Sequence, residues 1–180
     1  NTLSAQGYKD FSDYVDAILS GRDPEMVTTM LNKLTTNYTY FLREEDHFKY
    51  LWNVVLPDLE KKHARDKVLC IWSAGCSSGE EPYTISMYLK EYFGAKASLW
   101  DTRVLATDIS QKILNTAIAA SYEEEGLASL PASWKQKYFV KDDKNKFTVA
   151  PAIKQNVIFR TFNLMEPIQF KRKFDLIFCR

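Results

Sequence analysis

The stretch from Val68 to Tyr92 constrains this chain most. Val68-Leu69-Cys70-Ile71-Trp72 is a short apolar run, the pattern of a strand buried on both faces. A small-residue loop, Ser73 to Gly79, follows it. Glu80 to Tyr92 then takes helical spacing, with Ile85, Tyr88 and Leu89 inward and Gly94 as the stop. A second strand, Arg103 to Thr107, ends in Asp108, and Ser110 to Ala119 forms a second helix. Asn156–Phe159 and Phe174–Phe178 supply a third and a fourth strand. Strands alternating with helices predict an α/β fold with a parallel sheet and right-handed crossovers. The alternation breaks once. Tyr138-Phe139-Val140 and Phe147-Thr148-Val149 flank a charged run, Lys141 to Lys146, which reads as a β-hairpin subdomain inserted over about 138–160.

The residues before this unit read as helical. Tyr8, Phe11, Tyr14, Val15, Ile18 and Leu19 share one helical face, closed by Gly21. Asp23-Pro24 opens a second helix, with Val27, Met30, Leu31 and Leu34 inward. Phe48, Leu51, Trp52, Val55 and Leu56 form a third stripe, interrupted at Pro57. Glu60 to Asp66 is densely charged and reads as a linker. The expected division is therefore an N-terminal helical domain and linker over 1–66, then a ligand-binding α/β domain over 67–180.

Composition removes several functions. Lys plus Arg number 24 against 23 Asp plus Glu, so the chain lacks the basic excess of a general nucleic-acid binder. No apolar run nears the roughly 18 residues that cross a bilayer. No leader is visible, and a cytoplasmic location is expected. Three cysteines, Cys70, Cys76 and Cys179, have no metal-ligand spacing and fit a reducing compartment, so no metal is expected.

In an open parallel sheet, ligands bind beyond the carboxyl ends of the strands. The loop after the first strand and Asp108 both fall there. Gly75 and Gly79 allow close backbone approach, and Asp108 can accept two hydrogen bonds from a ribose diol. The loop lacks both the dense glycine fingerprint of dinucleotide sites and the Gly-Lys-Ser/Thr ending of a P-loop. Glu80 and Glu81 at the helix start repel phosphates and suit a cationic group, such as a methionine ammonium. A plain tight turn, with two acids favoured by the helix dipole, accounts for the same residues.

The sequence Trp72-Ser73-Ala74-Gly75-Cys76-Ser77-Ser78-Gly79-Glu80-Glu81-Pro82-Tyr83-Thr84 resembles the S-adenosylmethionine loop of CheR-type chemotaxis receptor methyltransferases. Three further segments match in order: Asn37-Tyr38-Thr39-Tyr40-Phe41-Leu42-Arg43, Ala106-Thr107-Asp108-Ile109, and Phe174-Asp175-Leu176-Ile177-Phe178-Cys179-Arg180. The resemblance implies a Rossmann-like class I methyltransferase sheet. It implies methyl transfer from S-adenosylmethionine to glutamates on chemoreceptor cytoplasmic helices, giving γ-methyl esters and S-adenosylhomocysteine. It places Asn37, Thr39, Arg43, Ala74, Gly75, Glu81, Asp108, Asn163 and Leu164 at the cofactor: Glu81 by the methionine portion, Asp108 on the ribose, Asn163-Leu164 by the adenine. Arg43 is the candidate catalytic residue, holding the attacking carboxylate or that of the cofactor by a two-pronged bond.

Outside the family match, Arg43 could pair with a nearby acid and Asn163 could be a turn residue. Tyr83 reads as packing, and His47 and His63 as solvent-facing without a role. Other readings on this scaffold are a small-molecule methyltransferase, a non-catalytic nucleotide sensor, and a nicotinamide dehydrogenase. The family pattern has a basic first helix, and further strands after the fourth, that this sequence does not contain. Family members that capture a receptor's tethering C-terminal peptide carry a longer, glycine-containing hairpin loop; this turn carries no glycine, so the resemblance implies no such capture. Class I sheets run 3-2-1-4 over these strands, with the fourth interior. An apolar fourth strand left at the edge predicts self-association, or a longer natural chain.

Overall fold

A computed structural model describes residues 8–20, 38–167 and 169–180. The chain divides into two compact units, Asn1–Thr36 and Asn37–Arg180. In the first unit, helix α1 spans Phe11–Leu19. Asp10 caps it by accepting from the Asp13 amide at 2.9 Å, and the Lys9 amide donates to the Asp13 carboxylate. Tyr14 and Ile18 are buried, but Phe11 and Leu19, expected inward, are exposed: they stand in the terminal turns. The expected second helix, Gly21 and Asn37 lie outside the described residues.

The second unit begins at Asn37, well before the charged stretch at Glu60–Asp66. Its first helix, α2, is continuous through three segments: Glu45–Tyr50, a π-helical Leu51–Val55, and Leu56–Lys62. Pro57 therefore does not interrupt it. A proline has no N–H for the preceding turn, so that turn widens, and Pro57 sits where a helical segment restarts and needs no donor. The wide turn also shifts the phase of the stripe. Phe48, Leu51, Leu56 and Leu59 are buried, while Trp52 stays 38% exposed.

The charged stretch is not a loose linker. Glu60 accepts from the Tyr92 hydroxyl and from Lys96, and Lys62 and His63 both bond Asp175 at 2.8 Å. His63, expected in solvent, is mostly buried and also bonds Asp66.

The main sheet has strands β1 (Ile71–Ala74), β2 (Val104–Asp108), β6 (Val157–Thr161) and β7 (Leu176–Cys179) in the order β6-β2-β1-β7, all parallel. This is the expected 3-2-1-4 order of a Rossmann-like methyltransferase sheet. The first strand starts later than the apolar run suggests. Lys67 is left-handed, and Val68 makes only an isolated bridge to Asp101. Helix α3, Glu80–Phe93, packs on this sheet with Tyr83, Ile85, Met87 and Leu89 fully buried. Helix α4, Gln111–Ala119, is capped by Ser110, whose hydroxyl accepts from the Ile113 amide.

The insertion is larger than a hairpin. Strands β4 (Phe139–Lys141) and β5 (Phe147–Val149) pair as expected, and β3 (Ser121–Tyr122) adds to β5, giving the antiparallel order β3-β5-β4. Helix α5, Ala132–Tyr138, leads into β4. The turn closes on Asp142, whose carboxylate accepts the Lys144 and Lys146 amides. Asn145 takes the left-handed position that glycine often fills.

Candidate functional site

Beyond Ala74, the chain must leave β1 and turn at once into α3. Two glycines permit this, Gly75 at φ +79° and Gly79 at φ +96°, together with left-handed Ser77. The turn is held from β2. The Thr107 carbonyl accepts the Gly75 and Cys76 amides, both at 2.8 Å. One oxygen of Asp108 accepts the Ser77 amide at 2.9 Å, and the other accepts the Ser110 amide at 3.0 Å. Asp108 thus shapes the loop. A carboxylate has about four acceptor sites, so two remain for a diol. Gly75 is the exposed residue of this otherwise largely buried loop.

Glu81 is the second residue of α3, in its first turn. It accepts from the Ser73 hydroxyl at 2.6 Å. Burial pushes its carboxyl up, opposed by the Ser73 bond and by the cations of Arg180 and Arg43. Arg43 lies in the segment just ahead of α2. Its guanidinium lies over the rings of Tyr38 and Tyr40, at 5.6 and 5.9 Å, and donates to the Tyr38 carbonyl. Leu42 and Glu44, on either side of it, are both left-handed. Glu44 pairs with Arg180 at 2.9 Å. An open cleft of about 500 Å³ lies here, with Glu44, Tyr50, Glu81, Ile177 and Arg180 in its wall.

The structure therefore puts Glu44, the neighbour of Arg43, in one cleft wall with Glu81 and Arg180, and the Arg180 carbonyl lies 3.6 Å from where a Cβ on Gly75 would stand; Ala74 is buried. Thr39 is half-buried in the same segment as Arg43. Asn163 and Leu164 follow the carboxyl end of β6, beside Asp108, whose carbonyl accepts the Phe162 amide at 3.0 Å. The Asn163 side chain accepts from the Met165 amide, and Leu164 is exposed. Tyr83 is a packing residue, fully buried with its hydroxyl on the Ala117 carbonyl. Burial pushes the Cys76 thiol far up, away from reactivity. Sequence reasoning missed Ser73, Glu44 and Arg180 as site residues. Arg180 was legible only as the end of a strand motif.

The donor set fits S-adenosylmethionine. A half-buried carboxylate suits an ammonium, a strand-end aspartate with spare acceptors suits a diol, and an exposed glycine admits close approach. A family model described as "CheR methyltransferase, SAM binding domain" matches residues 37–180. A chemotaxis protein methyltransferase of Borreliella burgdorferi is 42% identical, over 99% of this chain and 64% of the relative. A probable chemotaxis protein methyltransferase of Rhizobium etli is 36% identical, over 97% and 66% respectively. Chemotaxis protein methyltransferase 1 of Pseudomonas aeruginosa is 35% identical, over 99% and 65%. The chain spans just under two thirds of the length of these relatives.

Proposed function

This chain belongs to the CheR methyltransferase family of S-adenosylmethionine-binding domains, and we propose that it methylates glutamate side chains of chemoreceptor cytoplasmic helices, in the cytoplasm. The products are γ-methyl esters and S-adenosylhomocysteine. The observation that supports this reading is the cleft whose wall Glu44, next to Arg43 in the chain, shares with Glu81 and Arg180.

Bound S-adenosylmethionine supplies an electrophilic methyl that a carboxylate accepts without a general base. A glutamate is already ionised at pH 7, its reference pKa being about 4.3. The residues of this chain therefore bind, orient and desolvate. Glu81 receives the cofactor ammonium, Asp108 the ribose, and Asn163-Leu164 the adenine. Thr39 lines the cofactor from the Arg43 segment, and the family resemblance gives Asn37 a part in the same binding. Arg43 holds the incoming carboxylate with parallel N–H bonds, and the rings of Tyr38 and Tyr40 keep its plane oriented. The hairpin turn, closed on Asp142 without a glycine, takes no tethering receptor peptide.

The test is methyl transfer from labelled S-adenosylmethionine to receptor membranes. Alkali-labile label is expected in the receptor band, and Arg43→Lys is expected to lose most of it, because a point charge cannot replace the fork. Absence of alkali-labile label with the unaltered protein would contradict the reading.

A further inference from the structure

The reading above gives the small sheet β3-β5-β4 no part in the chemistry, yet its residues touch both loops of the site. Tyr122, in β3, donates its hydroxyl to the Ser78 carbonyl at 2.8 Å. The same oxygen lies 3.1 Å from where a Cβ on Gly79 would stand. The hydroxyl therefore closes the back of the cofactor loop at the point where the chain enters α3. Burial pushes the Tyr122 phenol well above its ordinary range, so it stays protonated, and a donor, at neutral pH.

The ring of Tyr122 serves the other loop. It meets Phe41 edge-on, with centroids 4.9 Å apart. Phe41 is fully buried and also meets Phe139 of β4 edge-on at 5.4 Å. The Phe41 carbonyl accepts from the Ser129 hydroxyl, in the segment joining β3 to α5. The next residues are Leu42, Arg43 and Glu44, two of them left-handed without being glycine. Such backbone persists only where its surroundings over-determine it. Here the surroundings are the small sheet on one side and Thr84 of α3, whose hydroxyl accepts the Leu42 amide, on the other.

We infer that the small sheet is a brace that fixes the spacing between the cofactor loop and Arg43, with Tyr122 as the positioning residue that serves both. The inference rests on the methyltransferase reading of this site. Tyr122 touches no reacting atom. Its hydroxyl acts through Ser78 and its ring through Phe41, so the two contacts separate by substitution.

Amide hydrogen exchange on the full chain reads the brace without ligand. Tyr122→Phe keeps the ring and loses the hydroxyl. Exchange should quicken about 3- to 10-fold at Ser77–Gly79, the scale of one lost hydrogen bond, and stay unchanged at Leu42–Glu44. Ser129→Ala should do the reverse, and Tyr122→Leu should loosen both segments. Titration with S-adenosylhomocysteine should show Tyr122→Phe binding about 3- to 10-fold more weakly. Ser129→Ala should lower turnover by a larger factor than it lowers binding. Wild-type exchange at both loops in Tyr122→Leu overturns the brace, as does equal acceleration across the whole sheet in every variant. Failure of the unaltered protein to bind S-adenosylhomocysteine would instead overturn the cofactor reading, leaving the exchange pattern to decide the brace.

Discussion

Burial pushes the Glu81 carboxyl above the ordinary carboxylate range, while the Ser73 hydroxyl and the cations of Arg180 and Arg43 hold it back. An ammonium bound beside it would favour the charged form. Binding then lowers its pKa, and releases a proton whenever the free carboxyl is protonated. Affinity for S-adenosylhomocysteine should therefore fall as pH drops into the raised Glu81 range, and be flat above it. Glu81→Gln should bind more weakly at neutral pH and lose that dependence, as calorimetry at pH 7 and at acid pH would read. The same pH profile in the variant would take Glu81 out of the ammonium site. At this scale the sequence was partly legible. The strand-end positions of Gly75 and Asp108 follow from the strand–loop–helix pattern alone. That Asp108 also holds Ser77 and Ser110 does not, because those bonds depend on where the loop turns back over β2. The placement of the Arg43–Glu44 segment at the cleft that Glu81 lines was reachable only through family resemblance. It depends on left-handed backbone at Leu42 and Glu44, where no glycine signals it.

Asp175 joins elements distant in sequence. It stands just ahead of β7, accepts from Lys62 at the end of α2 and from His63, and takes the Cys70 amide at 3.0 Å just before β1. Burial alone would push its carboxyl up, but the Lys62 ammonium, the Cys70 amide and His63 outweigh it and hold it below the usual range. A depressed folded value means stability that is complete above the unfolded Asp pKa, about 3.9, and lost as pH falls through the lower folded value. Lys62 is 62% exposed, so its pair contributes little, and the amide bond and His63 carry most of the effect. Asp175→Asn should cost about 1–3 kcal/mol at neutral pH by urea unfolding, with the gap closing in acid. An unchanged midpoint at pH 7 would show that this junction does not hold the elements together. Charge density made Glu60–Asp66 read as a linker because the partners that anchor it, Tyr92, Lys96 and Asp175, come from distant elements. Pro57 read as a break because a single wide turn leaves no trace in a stripe of apolar residues. Strand β3, only two residues long, is below what alternation can signal.

Across the whole molecule, the sheet order was legible because short apolar strands alternating with helices admit few right-handed arrangements. That order puts β7 at the end of the four-stranded sheet, with Ile177 half exposed, beside the cleft that Glu81 and Arg180 also line. The division of the chain was less legible. The charge break falls near residue 66, but Phe41, Phe48, Leu51 and Leu56 pack into the same core as Ile71, Tyr83 and Ile85, so the compact unit takes in the Arg43 segment. Cofactor loop and candidate catalytic residue thus belong to one packed body, and the central claim of this account is that this body binds the cofactor on the Gly75 loop and Asp108. Calorimetric titration of the chain with S-adenosylhomocysteine tests it most directly, using the unaltered protein and Asp108→Ala, each first shown to be folded by its thermal transition. The account predicts one site in the unaltered protein, weakened by about 1.5–3 kcal/mol in Asp108→Ala. No binding by the folded unaltered protein, or equal affinity in the two, would contradict it.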